Sequence, residues 1–141
     1  MNKIIALLLT LGTIACSQTE ERKTDDKLIS LDGIKSKVME LHDEVMPEMG
    51  TLRKKEKELR AKAEELRENS EDAAAEKLEE LADKVADANE DMMKWMRQYD
   101  PKLEGSKEEV AKYFKDQLKS VQSVNRKMRK ALEEAKETLD Q

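Results

Sequence analysis

Residues 31–66 read LDGIKSKVMELHDEVMPEMGTLRKKEKELRAKAEEL. Leu31, Val38, Val45, Leu52, Leu59 and Leu66 recur at every seventh position, Ile34 and Leu41 fill the intervals, and Ala63 continues the stripe. At about 3.6 residues per turn, a seven-residue repeat returns to nearly the same side of an α-helix. A strand would instead need alternating β-branched and aromatic residues, and no such run occurs in the 141 residues. The stretch predicts a first helix over about 27–68 with one apolar stripe that must find partners.

Those partners follow in the chain. Leu78, Val85, Met92 and Tyr99 form one row of a second helix over about 71–99, and Ala74, Leu81, Ala88 and Trp95 form the other. Asn69-Ser70 separates it from the first, with Ser70 placed to cap it and Glu71-Asp72 complementing its dipole. Asp100-Pro101 stops the second helix. Ser106 and Glu109 then have the spacing of a capping box. The third helix, about 107–139, carries Phe114, Val121, Met128 and Ala135 in one row and Leu118, Val124, Leu132 and Leu139 beside it.

Two short turns imply an all-α, up-down-up three-helix bundle, an antiparallel coiled coil over residues 27–141. Heptads of this kind also serve self-association, so a homo-oligomer is the alternative packing. Pro47 falls inside the first helix, nearly opposite the Val38/Val45 row. It removes the hydrogen bond to the Asp43 carbonyl, and because the apolar phase continues to Leu52 a kink is expected there.

Composition supports a slender body. Charged residues make up 42% and aromatic residues 3%, so most side chains must face water. The net charge is −5 with both signs interleaved, which leaves no basic stripe to neutralise phosphates and argues against nucleic-acid binding. The locally basic RKKEKELRAK (53–62) is interrupted by glutamates and reads as a solvated helix face.

The N-terminus carries an address. Lys3 precedes an apolar segment at 4–15 that is too short to span a bilayer, which needs about 20 residues. Residues 1–15 are expected to be a secretory signal peptide. The only cysteine follows at once, and Thr13-Ile14-Ala15-Cys16 resembles a bacterial lipobox, although that pattern prefers Leu where Thr13 stands. The resemblance implies thioether-linked lipid on Cys16 and anchoring in a membrane. Ser17, rather than Asp, follows the cysteine and favours the outer membrane by the same resemblance. Loss of residues 1–15 removes one base, Lys3, from 27 and no acid from 32, for a net of −6. Residues 16–26 comprise Cys16 and an apolar-free tether, SQTEERKTDD (17–26).

One cluster invites chemistry. SKVMELHDEVMPEMG (36–50) holds the only histidine and three of eight methionines, and the turns bring it level with DMMKWMRQYDP (91–101). Met39, His42, Met46, Met49, Met92 and Met96 are the candidate metal ligands. Thioethers and one imidazole suit Cu(I), with a Trp95 face adding cation–π contact, and a haem between His42 and a methionine is a second version. Against both, there is no second histidine, no HxxxH and no CxxCH. His42 lies at the edge of the stripe, and Met39 and Met46 lie farther round. Methionines also fill irregular core beside a kink, and this is the expected role, with no cofactor required. A Met-rich surface can serve a chaperone, but the LTxxQ-type motif of helical periplasmic chaperones is absent. No glycine-rich phosphate loop or catalytic triad is present, so no enzyme activity is expected.

With its short signal, LHDEVMPEMG (41–50) and DMMKWMRQYDP (91–101), the chain resembles small bacterial lipoproteins that carry the label "viral A-type inclusion protein". The resemblance covers most of the chain beyond the signal and implies a helical fold and an envelope location, with no activity attached. The sequence thus leads to a lipid-tethered scaffold or binding module whose partners are the membrane and another envelope protein.

Overall fold

A computed structural model of the chain describes residues 30–140. The expected signal peptide, Cys16, the tether and the start of the first helix at 27–29 lie outside the described residues. Four helices follow in order: α1 (Leu31–Val45), α2 (Glu48–Glu68), α3 (Asp72–Gln98) and α4 (Lys107–Leu139). Among the described residues there is no strand, and no helix is long and apolar enough to cross a membrane. α1 and α2 follow on from one another through helical angles at Met46 and Pro47, so three rods pack together as a bundle. Pairs such as Arg60–Asp83 and Asp91–Lys127 run α3 antiparallel to both its neighbours. The 33 residues of α4 give a body about 50 Å long.

The division of the first helix departs from the sequence expectation of one element over 27–68, and Pro47 is the reason. It has no N–H to donate, so the ladder lapses for two residues. Yet Met46 (φ −54°, ψ −40°) and Pro47 (φ −59°, ψ −26°) both keep right-handed helical angles. The Met46 N–H still reaches the His42 carbonyl at 3.1 Å, and the Met49 N–H bonds to the carbonyl only three residues back, that of Met46, at 3.2 Å. Val38, Val45 and Leu52 stay fully enclosed on either side of Pro47. The interruption affects the hydrogen bonding, while the core face is unbroken.

Most of the predicted rows form the core, together with Met49, Ala75, Ala82, Ala131 and Asn125. Leu31, Leu41, Leu66, Tyr99, Leu118, Val124 and Leu139 are only half-buried and pack on its margin, and Ala74 is half-buried as well. Small alanines on α3 let α2 approach closely, and α1 packs mainly on α4.

Ser70 does not cap α3 as the sequence suggests. It takes a left-handed conformation, φ 63°, and closes α2 instead. The Ser70 N–H bonds to the Arg67 carbonyl at 2.9 Å and the Glu71 N–H to the Leu66 carbonyl at 2.8 Å, the paired bonds of a Schellman ending. Glu71 then stands at the α3 N-cap without a side-chain bond. At α4 the predicted capping box of Ser106 and Glu109 is present in full. Ser30 caps α1, accepting from the Gly33 N–H at 3.1 Å.

Candidate functional site at the aromatic end

α1 packs along α4 and reaches the end of the bundle where α3 meets α4. A chain of rings results. His42 lies 5.6 Å from Trp95, centroid to centroid, and Trp95 stacks on Tyr99 at 4.9 Å. Tyr99 meets Phe114 edge-on at 6.2 Å, and Phe114 meets Tyr113 at 5.1 Å. Lys35, two turns before His42, places Nζ 4.6 Å from the Phe114 ring centre. α1 therefore touches the ring chain at two places, through His42 at its start and through the Lys35 cation–π contact on Phe114. Burial raises the Tyr99 phenol above its ordinary value, and the neighbouring Tyr113 adds to this.

Tyr113 also fastens the α3–α4 connection. Its hydroxyl accepts from the Asp100 N–H at 2.7 Å, while the Asp100 carboxylate accepts from the Lys102 N–H at 2.8 Å. The chain is thus held in a tight turn around Pro101, where the sequence predicts the stop.

The six candidate ligands separate by depth. Met92 is fully enclosed and Met49 is 7% exposed, so both act as core side chains. Met46 and Met96 are half-buried. Met39 is 38% exposed, the one large apolar side chain among the described residues to be so open. His42 is mostly covered, with Nδ1 at 2.8 Å from the Asp43 carboxylate. Trp95 is buried, and its Nε1 has no acceptor among the described residues. No three His, Cys, Asp or Glu side chains there come together in a way that could hold a metal ion. Any metal at this end would rely on thioethers.

A second polar feature escaped the sequence reading. Asn125, 6% exposed, donates Nδ2–H to the Leu41 carbonyl at 3.1 Å. Arg129 donates from Nε to the Asn125 Oδ1 at 2.8 Å and pairs with Glu44 at 2.7 Å. Its position gives it away in hindsight, since residue 125 belongs to the same seven-residue row as Leu118, Leu132 and Leu139.

Away from this end, a hollow of about 550 Å³ beside the α2–α3 turn is floored by Leu66, Ala74, Leu78 and Leu81 and flanked by Lys62 and Lys77. No protein-family model matches the chain, and comparison with curated proteins and with solved structures gives no match either.

Proposed function

We propose that this chain is a lipid-tethered, non-enzymatic helical lipoprotein of the bacterial cell envelope that scaffolds or binds another envelope protein. The observation that carries the reading is the sequence TIAC (13–16) closing a short apolar run behind Lys3. A lone cysteine in an exported chain is otherwise unusual, because oxidising compartments pair or eliminate free thiols. Two or more acyl chains on Cys16 give stable anchoring, at about 0.8 kcal/mol per buried methylene. The outer membrane is the favoured destination because Ser17 follows the cysteine.

The body suits binding better than catalysis. Among the described residues Asn125 is the one buried polar side chain, and charge is interleaved along the sequence. The resemblance to small envelope lipoproteins in LHDEVMPEMG and DMMKWMRQYDP agrees with this reading and brings no activity of its own. Mass spectrometry of the native N-terminal peptide tests the anchor: a lipid-modified Cys16 is expected, and an unmodified thiol ends the proposal. For the binding role, detergent-solubilised envelopes crosslinked in vivo should give a stoichiometric partner with the wild-type protein. That partner should be lost with Cys16→Ala. Recovery of the protein alone argues against a scaffold.

A further inference from the structure

Within α1, MELHDEVM (39–46) sets Met39, His42 and Met46 three and then four residues apart. At about 100° per residue they share an arc of about 60°. Side chains so spaced have Cβ atoms about 5–6 Å apart, close enough for flexible thioethers to converge on the ring between them. Neither methionine is enclosed: Met39 is 38% exposed and Met46 packs half-buried on the margin of the core, whereas Val38 and Val45 on the adjoining face are fully enclosed.

His42 is prepared as a ligand. A carboxylate only accepts, so Asp43 fixes the hydrogen on Nδ1, 2.8 Å away, and leaves the lone pair on Nε2. Nε2 has no partner among the described residues. Carboxylates orient metal-bound imidazoles in the same way. Beside the ring stands Trp95, 5.6 Å away and tilted by 34°, close enough for its emission to respond to a metal bound at the imidazole.

We infer that Met39, His42 and Met46 form a site for a soft monovalent cation, Cu(I) or Ag(I), bound by imidazole Nε2 and two thioethers beside the Trp95 ring. All three donors are neutral, and thioethers select such ions over Mg²⁺, Ca²⁺ or Zn²⁺. Met49 and Met92 are enclosed in the core and take no part.

Trp95 is the only tryptophan, so its emission reports on this place alone. The full chain with Cys16→Ser, which removes the competing thiol, is titrated anaerobically with Cu(I) and separately with Ag(I). Each titration runs against a chromogenic competitor while Trp95 fluorescence and helicity are followed. Uptake of about one equivalent of either ion is expected, with Trp95 quenched in step. His42→Gln and the double variant Met39→Leu/Met46→Leu should each weaken binding on the order of tenfold or more with helicity unchanged. Failure of both ions to compete, uptake without quenching, or undiminished affinity in the double variant overturns the inference.

Discussion

Asn125 of α4 donates its Nδ2 hydrogen to the backbone carbonyl of Leu41 on α1, 3.1 Å away and 84 residues earlier in the chain. With Arg129 bridging Asn125 and Glu44, this bond fixes the height of α1 against α4. An apolar row alone would let α1 slide by a turn, because leucines and valines pack acceptably at several heights. A single polar residue in a heptad seam sets register at some cost in stability.

Asn125→Leu completes the Leu118/Leu132/Leu139 row and is expected to raise stability by about 1 kcal/mol while loosening register. Amide resonances of α1 should broaden or double in heteronuclear NMR spectra as the urea midpoint rises. Asn125→Ala, which leaves a gap, should cost about 1–3 kcal/mol. A fall in stability for the leucine variant, with α1 resonances still sharp, would contradict the register argument.

Ser70 holds a left-handed backbone with φ 63° at the end of α2. A side chain is disfavoured there, and glycine is the usual residue. Ser70→Gly is expected to stabilise by about 0.5–1 kcal/mol, part of the relief being offset by greater freedom in the unfolded chain. Ser70→Val should destabilise by more than glycine stabilises, since a β-branched residue fits that region worst. Thermal melts of the two variants, run side by side, check both signs.

The heptads made the bundle legible, since a seven-residue apolar repeat over long stretches has few other solutions. The capping box at Ser106–Glu109 was legible for the same kind of reason: both its bonds lie within one turn. What stayed hidden depends on neighbours distant in sequence. Asn125 stands in the Leu118/Leu132/Leu139 row, but its polar side chain has no evident partner until Leu41 is placed opposite it. Ser70 has the chemistry of a cap, but the need to reverse the chain between α2 and α3 put it in the left-handed region. Ala75 and Ala82 are too small to mark a face, and only the close approach of α2 buries them. The methionines were gathered at one end by counting from the turns. Their depth could not be counted from the turns, because it depends on which neighbour covers each side chain: Met92 is fully enclosed and Met39 is 38% exposed.

Depth separates the methionines experimentally. Met92 is fully enclosed, so Met92→Ala should cost about 2–5 kcal/mol, whereas Met92→Leu, close in volume, should cost less than about 1.5 kcal/mol. Met39→Ala, at an exposed position, should stay within about 0.5 kcal/mol of wild type. Urea unfolding of the three variants supplies the test, and a large loss at Met39 would mean that its face is covered in solution.

Acid should weaken the fold through its carboxylates, and Glu109 is the best placed to show it. The Ser106 hydroxyl and backbone N–H both donate to Glu109 Oε2, at 2.8 and 2.9 Å, and hold its carboxyl below the ordinary 4.5. Lys55 does the same for Glu58 and Lys112 for Asp116. Because each folded-state value is depressed, the unfolded chain binds protons first as pH falls. The stabilisation is whole above about pH 4.5 and is lost as pH drops through the lowered folded values. All three groups are on the surface, so the effect is shallow and shrinks in high salt. Glu109→Gln keeps an acceptor for the Ser106 N–H but carries no charge. Its thermal midpoint should start slightly below wild type at pH 7 and fall less steeply between pH 4.5 and pH 3. Parallel slopes for the two proteins at low ionic strength would show that Glu109 is not held below its ordinary value by the capping box.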